Sequence, residues 1–279
     1  MKFAIKYVPL QNYMRNILFI VLAALIAASC GNKEEKTVTK AEGLNFDSIT
    51  VDTIAALIQE EGSPSAHIHL SMMYAQGDKG TAFNQTIRKG GFLTPDYMGM
   101  LSDRLTMKQA VDSFIISYVN DYKRDYAPLF RGDREHRDSY NLTYDCRTYV
   151  QNHRGGIVCY IARSTMYGGG EHSVTSTIAK NIEVKTGKVI TAADVFAEGF
   201  EQPLADLIVK KLCKMQDVKT LKELQEKGFF VDIEPYASDN FILGDGEITF
   251  IYVDSEIAPH EAGEIRVTLN DDELESVVK

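Results

Sequence analysis

The stretch YNLTYDCRTYVQNHRGGIVCYIARST, residues 140–165, decides the fold. Its two flanks, Tyr140–Val150 and Ile157–Thr165, are rich in β-branched and aromatic residues, which suit a pleated, half-buried surface. Between them Asn152-His153-Arg154-Gly155-Gly156 is a glycine-containing turn, so the stretch reads as an antiparallel hairpin. Working outward, Gly168-Gly169-Gly170 separates this hairpin from a third strand over 173–184, and Thr186-Gly187-Lys188 turns tightly into Val189-Ile190. A short helical turn starts at Thr191. Upstream, 66–74 alternates as a strand, and 84–91 reads as a short helix or turn ended by Gly90-Gly91.

Two main helices accompany the strands. From Met107 to Tyr126, Ala110, Val111, Phe114, Ile115, Tyr118, Val119 and Tyr122 recur at helical spacing. Thr106 is a suitable N-cap, and Pro128 stands just past the expected end. The second helix runs from Pro203 to Met215, with Leu204, Leu207, Ile208 and Leu212 on one side, and Leu221–Lys227 continues it up to Gly228. Strands return at 240–243, 247–253 and 264–269, with Gly244-Asp245-Gly246 as a turn, before a short helix from Asp271. Helices and antiparallel hairpins in separate runs define an α+β fold, an antiparallel sheet with hairpins packed by the two main helices.

The amino terminus sets the compartment. Lys2, Lys6 and Arg15 precede the apolar run 17–28, which is followed by Ala27-Ala28-Ser29-Cys30. A basic region, a short apolar region and small residues at the cut describe an export signal, and the run is shorter than the roughly 20 residues of a membrane span. The cysteine directly after the small residues marks a lipoprotein, cleaved before Cys30 and lipidated on its thiol. Ala27 stands where the usual lipobox has leucine, and Met14 is an alternative start. The expected organisation is a signal peptide over 1–29, a tether over 30–46, an N-terminal subdomain over 47–135 and a C-terminal α+β domain over 136–279. Lys33-Glu34-Glu35 resembles the Lys-acid-acid signal that sends lipoproteins of Bacteroidetes-type bacteria to the cell surface. The expected location is the outer membrane, on its periplasmic side or at the surface.

Residues 1–29 hold three basic and no acidic residues, so their removal takes the net charge from −9 to −12. An acidic surface argues against nucleic acid, whose phosphates need basic groups, and favours basic partners. Of the remaining cysteines, Cys146 and Cys159 flank the hairpin turn, a placement that permits a cross-strand disulfide in an oxidising compartment. Cys213 stands in an apolar, helical setting as a free thiol.

The region from Tyr167 onward resembles a known domain. Gly168-Gly169-Gly170-Glu171-His172, then Lys185-Thr186-Gly187-Lys188-Val189-Ile190-Thr191-Ala192-Ala193-Asp194-Val195-Phe196, then Phe241–Gly246, Ile248–Tyr252 and Glu256-Ile257-Ala258-Pro259-His260-Glu261-Ala262-Gly263 carry the likeness. It is to the envelope domain of unknown function shared by the RsiV anti-sigma factor ectodomain and the accessory region of the PdaC peptidoglycan deacetylase. The likeness spans roughly Tyr140–Leu269, and 66–130 resembles more loosely the smaller PdaC-like domain preceding it. It implies an α+β ectodomain outside the cytoplasmic membrane. In the RsiV branch that domain binds lysozyme; in PdaC the chemistry belongs to a separate metal-dependent esterase domain whose aspartate-histidine motif does not appear here. The resemblance therefore implies a binding module for lysozyme or peptidoglycan.

Three places carry candidate chemistry. His67 and His69, two apart on a strand, share one face; paired with a carboxylate they are suited to a divalent metal, and otherwise they are a solvated pair on an edge strand. Gly168, Gly169, Gly170, Glu171 and His172 read either as a recognition loop or as a turn that sets register, since glycines admit positive φ and close approach. His260, beside Glu256 and Glu261, lies in a shaped turn before the last strand. No Gly-x-Ser-x-Gly elbow or His-Glu-x-x-His helix occurs, and no cofactor or metal is implied. The expectation is a non-enzymatic binding protein, with a cell-wall glycan deacetylase or other hydrolase as the alternative.

Overall fold

The structure, a computed structural model, describes residues 39–101, 104–152 and 155–279. The expected signal peptide, Cys30, Lys33-Glu34-Glu35 and most of the tether lie outside the described residues, as do His153 and Arg154.

Among the described residues seven strands form one sheet in sequence order: β1 (Lys40–Ala41), β2 (Leu44–Ala56), β3 (Ser65–Ala75), β4 (Leu142–Asn152), β5 (Ile157–Tyr167), β6 (Val174–Glu183) and β7 (Val189–Ile190). All neighbours are antiparallel except β3 and β4, which run parallel. The chain between these two makes the crossover and carries helix α1 (Thr81–Lys89) and helix α2 (Met107–Gly132). The α+β class and the Tyr140–Thr165 hairpin are as the sequence reads.

Alternation along the strands makes one face of the sheet apolar. Ile68, Leu70 and Met72 of β3, Tyr144 and Cys146 of β4 and Tyr160 of β5 are fully buried there, and the rings of Phe114 and Tyr118 of α2 pack at a tilt against Tyr144, at 5.6 and 5.2 Å between ring centroids. Beyond Ser71 and Arg147, β4 no longer pairs with β3. Side chains take over there: Thr148 Oγ1 accepts the Met73 N–H at 2.7 Å, and Tyr160 Oη donates to Met73 O at 2.8 Å.

A second layer follows in the chain: α3 (Ala192–Val195), α4 (Glu201–Met215), α5 (Leu221–Glu226), the three-stranded sheet of β8 (Phe241–Leu243), β9 (Glu247–Tyr252) and β10 (Ile265–Asn270), and α6 (Asp271–Leu274). Leu204, Ile208, Leu212, Leu224, Phe250 and Val267 form its own core. It is tied to the large sheet by Asn181, buried on β6, whose amide donates to Phe241 O at 2.9 Å and accepts the Leu243 N–H at 3.0 Å.

Five expectations change. The tether does not reach residue 46, because Ala41, Leu44 and Phe46 are buried in the main core. The strand over 44–56 was not expected. The division at residues 135 and 136 is not a domain boundary: β3 and β4 pair across it, and the described residues form one compact unit. Pro128 lies inside α2 rather than past its end, since the last turn still buries Ala127 and Phe130.

The fifth is the disulfide. Cys146 pairs in register with Ser164, and Cys159 with Gln151. Five positions along β5 separate Cys159 from the residue opposite Cys146, roughly 17 Å at the rise of a strand, and the odd offset puts the thiols on opposite faces. A disulfide needs Cα atoms within about 7 Å. Cys146, Cys159 and Cys213 are buried and none of them forms a disulfide with another, and burial pushes Cys146 up to about 12. Among the described residues no helix is long and apolar enough to cross a membrane.

Candidate functional site: paired histidines on an acidic loop surface

Two loops far apart in sequence meet at the rim of the molecule. The first, between β5 and β6, contains Gly168–His172. Gly169 has φ +80°, and a Cβ there would lie 1.8 Å from Ser139 O, so backbone packs on backbone. Gly168 and Gly170 have open space around them; of the three expected glycines, Gly169 is the one the local geometry demands. Glu171 and His172 are exposed beyond it.

The second loop joins β9 to β10. Glu256 shapes it: one carboxylate oxygen accepts the Val253 N–H and the other the Tyr236 hydroxyl, each at 2.7 Å. Glu256 is thereby a structural residue. Gly228, at φ +90°, lies against the Pro259 ring, and the Phe230 N–H donates to Ile257 O at 2.8 Å. These contacts seat the loop over 228–239 beside the loop over 253–263.

The structure brings the two predicted histidines together. The His172 and His260 rings lie 5.5 Å apart between centroids, tilted by 38°. Asp254, which sequence reasoning did not single out, orients His260: Nδ1 lies 2.9 Å and 2.8 Å from its two carboxylate oxygens. A carboxylate only accepts, so Nδ1 carries the proton and Nε2 is left as the second nitrogen. The Asp254 side chain is 11% exposed and that of His260 47%. Hydrogen bonds from His260, then from Ser255, hold the Asp254 carboxyl below the usual carboxylate range. Burial, then the hydrogen bond to Glu256, raises Tyr236.

The two adjoining loops, 228–239 and 253–263, are acidic and partly apolar at their surface: Asp232, Glu234, Asp239 and Glu261 are exposed. From Gly228 to Ile265 there are nine acidic residues and no lysine or arginine. Within that run Val231, Ile233 and Tyr236 are 54%, 42% and 37% exposed, interleaved with the exposed Asp232 and Glu234. Val231, Ile233 and Tyr236 carry no local sequence signal of exposure; the stretch without lysine or arginine is their one mark in the sequence.

His67 and His69 sit elsewhere, on the open face of β3, which is an interior strand. Asp52, on β2 directly opposite His69, accepts from both: His67 Nε2 at 3.1 Å and His69 Nδ1 at 3.2 Å. The carboxylate that the sequence could not identify is thus Asp52, lowered in pKa first by the bond from His67. Among the described residues no group of three or more His, Cys, Asp or Glu side chains is arranged to hold a metal ion, so the trio is a hydrogen-bonded cluster.

An α+β fold with a seven-stranded sheet and a three-stranded one defines the class, and comparison with known proteins refines it. Residues 193–272 match the family model described as "Protein of unknown function (DUF3298)". A crystal structure of a DUF3298-family member from Bacteroides fragilis superposes with a TM-score of 0.73 at 21% identity, covering 88% of this chain and 96% of that one. A DUF3298-family protein from Pseudomonas aeruginosa gives 0.58 at 15% identity, over 85% and 95%. At such identities these likenesses establish the fold alone. No curated protein matches. The matched segment contains Asp254 and His260, whereas His172 lies outside it.

Proposed function

We propose that this chain is a non-enzymatic lipoprotein of the cell envelope, anchored through lipid on Cys30, and that its paired-histidine surface binds a basic protein such as a lysozyme. One observation carries the reading: exposed Val231, Ile233 and Tyr236 are interleaved with exposed Asp232 and Glu234, in a stretch from Gly228 to Ile265 that has no lysine or arginine. Apolar anchors ringed by one sign of charge suit a partner of the opposite sign, with the charges steering encounter and the apolar groups supplying contact. The resemblance to the RsiV ectodomain supports the same partner class, and the resemblance to PdaC supports peptidoglycan as the other ligand. The basic and apolar leader ending at Ala28-Ser29-Cys30 supports export and acylation, and Lys33-Glu34-Glu35 supports the outer membrane.

Calorimetric titration of the mature chain with lysozyme, and separately with peptidoglycan fragments, tests this. The expected result is lysozyme binding that weakens with salt and is lost in Ile233→Asp. No heat with either ligand at millimolar levels removes the reading. Palmitate incorporation that survives in Cys30→Ser removes the anchor.

The Asp254-oriented imidazole favours a second reading, hydrolysis of a cell-wall glycan, because a carboxylate that fixes a histidine tautomer is how a general base is held. Acetate release from peptidoglycan, abolished in His260→Ala or His172→Ala, is its signature. A purified chain that releases none discards it.

A further inference from the structure

The seven-stranded sheet treats its two margins differently. On one side β7 is two residues long, and beyond it the Asn240 side chain stands in for the missing strand. Its Oδ1 accepts the Ala179 N–H at 2.8 Å and its Nδ2 donates to Thr177 O at 2.7 Å. On the other side β1 covers only the start of β2, at Leu44 and Asn45, with the Phe46 N–H donating to Thr39 O at 2.9 Å. From Ser48 to Ala56 no strand among the described residues pairs with the outer edge of β2.

The direction of the free groups can be assigned. Asn45 O accepts from the Gln76 N–H and the Leu57 N–H donates to Pro64 O, so odd-numbered residues of β2 turn their backbone groups toward β3. Even-numbered residues turn theirs outward: Ser48, Thr50, Asp52 and Ile54. Asp47 Oδ1 takes the Ser48 N–H at 2.8 Å, which leaves Thr50, Asp52 and Ile54 presenting both donor and acceptor. Proteins usually blunt such an edge with lysine, proline or a bulge. Leu44–Ala56 contains no lysine, arginine, proline or glycine, and Ile54 is 67% exposed.

We propose that two copies of this chain join through β2, antiparallel across a two-fold axis at Val51. A two-fold contact places the same strand on both sides. In this register Thr50 faces Asp52, Ser48 faces Ile54, Ile49 faces Thr53 and Val51 faces itself. The half-buried Ile49 and Val51 of each copy then extend one apolar face across the joint. Moving the axis to Asp52 sets two carboxylates directly opposite, which is destabilising; moving it to Thr50 drives Ile54 onto Phe46, already covered by Thr39; moving it to Thr53 sets Asp52 against Ile54. At Val51 the two Asp52 carboxylates stand diagonally, each already bonded by His67 and His69.

Sedimentation of the intact mature chain tests the proposal, with the mass of two chains expected. Thr50→Pro removes an outward N–H, which an edge strand tolerates, together with the exposed Thr50 hydroxyl, 3.4 Å from Ser71 Oγ; the β2–β3 backbone ladder keeps its bonds, and the mass falls to one chain with the circular dichroism unchanged. Val51 is at a non-hydrogen-bonded pair, where Cα atoms approach to about 4.5 Å. Val51→Cys therefore links two copies under mild oxidation, whereas Thr53→Cys, facing Ile49, does not. The proposal is overturned by a single-chain mass at the highest soluble concentration, the result expected if residues ahead of Thr39 cover β2. A dimer that persists in Thr50→Pro, or equal cross-linking of the two cysteine variants, overturns it as well.

Discussion

Gly169 shows how narrowly one position can be set. Its φ of +80° and the Ser139 carbonyl at 1.8 Å from a would-be Cβ exclude any side chain, while Gly168 and Gly170 have room. Gly169→Ala is expected to cost roughly 2–3 kcal/mol, combining positive-φ strain with a backbone clash. Gly168→Ala is expected to stay within about 0.5 kcal/mol; urea denaturation of the two variants checks the contrast. Asp254 offers a pH test at the same scale. Its folded pKa is depressed by His260, so the stabilisation is present above the unfolded value of about 3.9 and is lost as pH falls through the lower folded value. Carboxyl-carbon NMR is expected to give a midpoint for Asp254 below the ordinary range, moving up in His260→Ala. A midpoint indifferent to His260 would show that the bond does not set it.

The elements divide into those whose cause is local and those whose cause is not. The long helix α2 is local: Thr106 and Gln109 form a reciprocal capping box, and apolar residues recur at the helical period. Its extra turn past Pro128 was illegible because tertiary burial of Phe130 decides it. The Tyr140–Thr165 hairpin announces itself through its turn and composition. β2 does not, because an edge strand buries little: Ile49, Val51 and Thr53 are only half-buried and alternate with polar Ser48, Thr50 and Asp52. Turn position alone also misled the pairing of Cys146 with Cys159, since register depends on every rung between them. Asn240 acts as a surrogate strand for β6. Asn240→Ala is expected to cost about 1–2 kcal/mol by leaving Ala179 N–H and Thr177 O unpaired. Hydrogen exchange at the Ala179 amide should quicken, with the β4–β5 amides unchanged.

Across the whole molecule, the site itself was half legible. His172 and His260 were nominated from separate stretches, but nothing local says that loops from 168–172 and 254–260 meet, and Asp254 emerges only once they do. The domain boundary failed for the same reason, because sheet pairing is a long-range property. Fragments 39–135 and 136–279 are accordingly expected to lack cooperative unfolding when expressed alone, and to recover it when mixed or joined. Two sharp, independent melting transitions from the separate fragments would refute that unity. The parallel contact between β3 and β4 has a consequence for how the molecule comes into being. The β2–β3 meander can assemble from neighbours in the chain, but its next partner arrives only after α1 and α2 have been synthesised and docked. Closing so long a loop costs entropy before any contact repays it. Refolding is therefore expected to wait on this closure, with the nascent β3 flank exposed in the interval. That interval is when the polypeptide is most open to proteases and to mispairing.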